Sequence, residues 1–143
     1  MSHNYNVSLQ WKNGRIGELS SPELETHFAV ATPPQFDQGI ENIWSPEHLF
    51  TASVSSCFMT TFLAISSHSK MEFESFTCRA EGVLDQIDGK YLMTEVKLFP
   101  HLVILREEDR EKADRILTKS EKACLISNSV NGKVSLFPDI SVN

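Results

Sequence analysis

Apolar and polar residues alternate at the start of the chain. Tyr5, Val7, Leu9 and Trp11 fall on one side of a two-residue period, which predicts a β-strand. Asn13-Gly14 follows, a dipeptide suited to a tight hairpin turn because both residues tolerate positive φ. Residues 15–19 read as the returning strand and residues 26–31 as a third short one. Pro33, Pro34 and Gly39 mark residues 32–44 as an irregular loop. At Ser45 the period changes. Ser45 suits the helix N-cap, and Pro46 suits the first helical position, where its missing N–H costs nothing. Glu47 lies in the first turn, where the helix dipole favours an anion. Small and apolar residues run from there to about Ser67, with no Asp, Glu, Lys or Arg between Glu47 and Lys70. A helix apolar nearly all round is buried on most sides.

Alternation returns at Phe76, Cys78, Ala80, Gly82 and Leu84. Asp88-Gly89 marks a turn, and residues 91–99 form the partner strand, which Pro100 ends or places near an edge. Residues 107–124 predict a second helix, with Ala113, Ile116, Leu117, Ser120, Ala123 and Cys124 on one face. Its start is acidic (Glu107, Glu108, Asp109) and its end carries Lys119 and Lys122, as the dipole prefers. Residues 133–137 close the pattern as a strand. The order β-β-β-α-β-β-α-β, with two hairpin signals, predicts an α+β fold with antiparallel sheets around two long helices. The first helix beside a single sheet would leave an apolar face uncovered. A homodimer that packs this helix against its copy covers it.

The length of 143 residues fits one domain, residues 1–143, with room for a sizeable core. Net charge is −6 with no cluster of Lys and Arg, which argues against nucleic acid and anionic membranes as partners. The apolar stretches are interrupted by Ser and Thr and read as falling short of a membrane span. The opening residues, MSHNYNVSLQW, lack the charged lead and apolar run of a secretory signal, so a cytoplasmic location is the expectation. There is no GxSxG, P-loop or GxGxxG motif.

The three cysteines are Cys57, Cys78 and Cys124, with no CxxC and no histidine at zinc-finger spacing, so no metal site is expected. An odd count without an export signal argues against a secreted disulfide framework. Cys78 sits on the inward face of a strand and reads as a small hydrophobe. Cys57, in the apolar helix, reads either as core filler or as a reagent. Cys124 lies at the end of the second helix, on its core-facing stripe, and points into the interior that holds Cys57. Two packed helices can bring the thiols within disulfide reach, which requires Cα atoms about 4.4–6.8 Å apart. A reactive cysteine must ionise, burial opposes that, and the middle of a helix offers no dipole help, so a cation has to be supplied. His48 beside Glu47 reads as an acid–base pair or as a solvated helix end.

The segments SPEHLFTASVSSCF and EKACLISN resemble the OsmC/Ohr family of hydroperoxide peroxidases, and the likeness extends from about Tyr5 to Ile140. That family carries Pro-Glu at the head of a central helix, a cysteine ten residues after the glutamate, and a second cysteine just before Ser-Asn. These positions are Glu47, Cys57, Cys124 and Ser127-Asn128 here. The family also uses an arginine from the early hairpin, matched by Arg15. Leu125 departs from the pattern, since a proline often follows the second cysteine.

The resemblance implies an intertwined homodimer with the central helices buried and active sites at the interface. Ten helical residues span about 15 Å, too far for Glu47 to touch Cys57 of its own chain, so an antiparallel copy would supply it. It further implies that Arg15 keeps Cys57 ionised and Glu47 holds Arg15 by a two-point pair. Cys57 would become a sulfenic acid on attacking an organic hydroperoxide, and Cys124 would close a disulfide. An external dithiol, lipoyl-type or small, would reset it without a bound cofactor. Phe50, Phe58, Phe62, Phe36 and Trp44 are candidates to line a pocket for an apolar peroxide tail. Two other readings stand beside this one. A hot-dog-type thioesterase would use Glu47 and His48 and leave the cysteines as spectators, and a non-catalytic dimeric module of the same fold would bind an apolar ligand.

Overall fold

The computed structural model describes residues Met1–Asn143 as two compact units, Met1–Leu49 and Phe50–Asn143. The first is an antiparallel meander of β1 (Ser8–Asn13), β2 (Ile16–Ser21) and β3 (Leu24–Ala31), in the order β1-β2-β3. Asn13 pairs with Ile16, so the residues in the turn are Gly14 and Arg15, one position later than the sequence suggests. Only Gly14 has positive φ (50°), which matches the hairpin turn that needs glycine at its first central position. Trp11 Nε1 donates to Gly14 O at 3.0 Å and clamps the turn. Arg15 is therefore held at a hairpin tip and not within a strand. The expected apolar row is present, and Tyr5, Val7, Leu9 and Trp11 are 67–84% exposed.

The first helix, α1 (Pro46–His68), begins in this unit. The Ser45 hydroxyl accepts the His48 N–H at 3.1 Å, the N-cap bond expected from the sequence. By length and composition α1 is long and apolar enough to cross a membrane, contrary to the sequence expectation. Its Val54, Phe58 and Phe62 are instead fully buried in the core of the second unit.

That unit is built on a long hairpin, β4 (Phe73–Ile87) and β5 (Lys90–Ile104), paired antiparallel. Asp88 (φ 49°) and Gly89 (φ 80°) form its turn, with both central residues left-handed as the twist of the strands demands. A 3-10 turn at Glu107–Asp109 leads into α2 (Arg110–Ala123), which returns the chain to β6 (Lys133–Leu136) and β7 (Asp139–Val142). Both of these pair parallel with β5, so this sheet is mixed, and β5-α2-β6 is a crossover that the antiparallel expectation lacked. β7 was absent from the sequence reading. Residues 133–136 pair with 95–98 and residues 139–142 with 101–104, as one strand interrupted at Pro138, which has no N–H to donate.

The core joins Val54, Phe58 and Phe62 of α1 to Val96, Leu98, Leu102 and Ile104 of β5 and to Ala113, Ile116 and Leu117 of α2. Phe62 stacks on Phe76 at 4.7 Å and lies against Phe73 at 5.3 Å. Ala123, placed on the apolar stripe by its spacing, is exposed because α2 ends there. Gly82 of β4 lies under α1: a Cβ there would come within 2.0 Å of Thr51 Oγ1 and 2.8 Å of Met93 Cε. The helix can approach the sheet this closely only over glycine.

Urea unfolding tests this packing. Gly82→Val should cost about 1–3 kcal/mol by overpacking, and Phe62→Ala about 3–5 kcal/mol by opening a cavity. An unchanged midpoint for Gly82→Val would show that α1 has slack above the sheet.

Candidate active site

The packing of α1 determines where its sulfur goes. With Val54, Phe58 and Phe62 pointing into the core, Cys57 falls at the border of the buried face and remains half-exposed, while Ser56 and Thr60 face outward. α2 stops at Ala123. Cys124 caps it with extended geometry (φ −64°, ψ 115°), its N–H reaching Glu121 O at 3.4 Å. This break turns the fully buried Cys124 side chain inward and starts a new 3-10 turn at Ser127–Ser129. The two sulfurs meet there, with Cys124 hydrogen-bonded to Cys57 and all cysteines in the free thiol form.

Burial alone pushes the Cys57 thiol up. Hydrogen bonds from the Cys124 thiol, the Ile126 N–H, the Thr61 hydroxyl and the Leu125 N–H outweigh it, and Cys57 ends below the ordinary thiol value. Thr61 Oγ1 lies 4.0 Å from the sulfur, one helical turn along the same face. Cys124 moves the opposite way. Burial raises it, and donating its proton to Cys57 raises it further, as does the developing charge on Cys57, against weaker opposition from the Ser127 hydroxyl and N–H. Ser127 Oγ is buried without a well-formed hydrogen bond, so its influence on Cys124 is a loose one. One sulfur is thus set to ionise first while its neighbour keeps its proton. Cys78 shows what burial does without such help. It is pushed up, with a single backbone donor at Phe99 opposing, and its thiol donates to Arg79 O at 3.6 Å.

The other expected residues are placed as follows. Arg15 is exposed at its turn, engages no carboxylate, and shares a surface pocket of about 320 Å³ with Trp11, Ile16, Gly17 and Pro46. Glu47 is half-buried in the first turn of α1, with Oε1 shielded from solvent. Both belong to the first unit, and the two reactive cysteines to the second. His48 contacts Ser45 Oγ through Nδ1 at 2.6 Å and meets Trp44 edge-on at 6.2 Å, so it completes the helix cap. Trp44 is half-exposed beside Phe28 at 6.3 Å, and Phe36 is partly buried in the loop of residues 32–44. Phe58 and Phe62 belong to the core, fully buried, with Phe50 partly buried against it. No group of three or more His, Cys, Asp or Glu side chains is gathered as a metal site.

Sequence reasoning overlooked Thr61, Ser127 and the N–H groups of Leu125 and Ile126. Thr61 carried a signal, its spacing of four from Cys57 on a helix. The main-chain donors carried none, because they depend on where α2 breaks.

The OsmC-like protein family model matches residues 39–136, more than half of the chain. Organic hydroperoxide resistance protein OhrB of Bacillus subtilis is 25% identical over 137 residues, covering 92% of this chain and 94% of the relative. Another Bacillus subtilis protein, called uncharacterized protein YmaD, is 23% identical over 145 residues, covering 98% of this chain and 95% of its own. Among solved structures, an OsmC-like protein from Vibrio cholerae superposes with a TM-score of 0.86 at 23% identity, covering 96% of this chain and 99% of that one. The meander, the central helix and the mixed sheet are thus those of the OsmC fold, and the chain belongs to the family of OsmC-like proteins.

Proposed function

We propose that this protein is a thiol-dependent peroxidase that reduces organic hydroperoxides to alcohols. The observation that carries the reading is the contact between Cys57 and Cys124, with Cys57 lowered and Cys124 raised from the ordinary thiol value. The names of relatives such as OhrB agree with it. In the first step the Cys57 thiolate attacks the outer peroxide oxygen. The O–O bond breaks, the departing alkoxide takes a proton and leaves as the alcohol, and Cys57 becomes a sulfenic acid. Cys124 then attacks that sulfur. Its proton and the sulfenic hydroxyl leave as water, and a Cys57–Cys124 disulfide remains. An external dithiol restores both thiols by exchange, supplying two electrons and two protons. Arg15 polarises the peroxide and Glu47 orients its guanidinium.

The active form in this reading is a homodimer. Met59 and Leu63 of α1 are 39% and 41% exposed, flanked by the small residues Ser56, Thr60 and Ala64 on one outward stripe. Such a surface suits close packing against a second apolar helix. The apolar row of β1 is open as well.

Treatment with cumene hydroperoxide should remove two hydrogens from the non-reduced mass, mapped to Cys57–Cys124. Cys57→Ser should abolish turnover with a dithiol donor. Cys124→Ser should accumulate a dimedone-reactive sulfenic acid and stop after one turnover, whereas Cys78→Ser should turn over normally. A Cys57→Ser variant with full peroxidase activity would sink the proposal. Light scattering should give about twice the chain mass of 16.1 kDa, falling to one chain in Leu63→Lys. A wild-type protein at one chain mass would rule out the dimer.

A further inference from the structure

We propose that the end of α2 is a main-chain anion cradle, in which the consecutive N–H groups of Leu125 and Ile126 hold the Cys57 thiolate. The inference rests on Cys57 being the reactive sulfur and adds what keeps it ionised. Its basis is the way α2 terminates. An α-helix that stops leaves main-chain groups in need of new partners. Cys124 leaves the helical path at ψ 115°, and the chain turns back so that Asn128 N–H reaches Cys124 O at 3.1 Å and Ser129 N–H reaches Ile126 O at 2.9 Å. Leu125 and Ile126 open this new turn, and their N–H groups both point at Cys57 Sγ. Two successive amides aimed at one atom form the kind of concavity that binds anions elsewhere. The Thr61 hydroxyl and the Cys124 thiol close the ring of donors from the other sides.

Within the second unit, Cys124 is the only titratable group that faces Cys57 from α1 or from the end of α2. The ionised sulfur is stabilised there by dipoles and protons, with no charged partner in that unit. Leu125 is required in a particular sense. Its side chain is 66% exposed and takes no part in the core, but its N–H is one of the two amide donors. A proline at 125 would delete that donor. It would also fit, because the extended ψ of Cys124 is what the residue before a proline prefers.

The test compares Leu125→Pro with Leu125→Ala, which trims the side chain and keeps the N–H. The pH midpoint of Cys57 is read by iodoacetamide rates in a Cys78→Ser background and by thiolate absorbance near 240 nm. Leu125→Pro should raise the midpoint by about one pH unit, since one hydrogen bond to a charged group is lost. At any pH below both midpoints the alkylation rate should then fall about tenfold. Leu125→Ala should keep the wild-type midpoint. Equal midpoints for Leu125→Pro and Leu125→Ala, whether shifted or not, would overturn the cradle.

The sign of the stability effect follows from linkage. A lowered thiol contributes stability that is present above its unfolded value and lost as pH falls through the folded one. Leu125→Pro should therefore lose its stability deficit attributable to this bond as the pH is lowered through the wild-type midpoint. Amide NMR of the unmodified wild type gives a readout that needs no proline variant. The Leu125 and Ile126 N–H resonances should move with the Cys57 midpoint and stay still over that range in Cys57→Ser. Amides that do not follow the Cys57 titration would also overturn the proposal. None of these measurements involves a peroxide, so a protein without turnover and a protein without a cradle give different results.

Discussion

The site depends on one constraint, the rotation of α1 about its own axis. Val54, Phe58 and Phe62 recur every four residues and must all enter the core, where Phe58 and Phe62 meet Phe76 and Phe62 also meets Phe73. A helix turns by about 100° per residue. Once Phe58 is buried, Cys57 has no choice of direction. Gly82 brings the helix close enough to the sheet for this to hold, since any side chain there would collide with Thr51. The same interdigitation that stabilises the second unit therefore aims the sulfur.

Two opposing effects then act on that sulfur. Removing a charge from water costs free energy and favours the protonated thiol. Directed donors favour the thiolate, and each pKa unit corresponds to about 1.36 kcal/mol of difference between the two forms. Cys57, Cys78 and Cys124 are all pushed up by burial, yet only Cys57 ends low. The number and direction of donors separates them. Cys57 receives four hydrogen bonds, whereas Cys78 has one main-chain donor and Cys124 gives its proton to its neighbour. An asymmetric pair of this kind defines which sulfur attacks and which waits.

Much of the fold was legible because local physics set it. Ser45 caps α1 as its hydroxyl suggests, and the Asp88-Gly89 turn has the positive φ values that its residues tolerate. The alternation from Phe76 to Gly82 became the inward face of β4. Departures arose where a longer-range partner decided. Pairing across β1 and β2 moved the first turn to Gly14-Arg15, although Asn13-Gly14 is the stronger local signal. β6 and β7 run parallel to β5 because α2 returns the chain on the same side, a fact of topology with no trace in the strand sequence itself. Ala123 kept its period but lost its burial when the helix ended at that residue.

By itself, the sequence determined the elements, the helical stripe that must be buried, and the presence of two sulfurs with the right spacing from their helix ends. These follow from periodicity, capping and side-chain chemistry, which act over a few residues. Only the tertiary structure decided that Cys57 and Cys124 touch, that the chain breaks at Cys124, and that the Leu125 and Ile126 amides face a sulfur from another helix. A hydrogen bond to a thiolate depends on distances of a few ångströms between segments more than sixty residues apart. Such distances are a property of the packed core, and no local pattern encodes them.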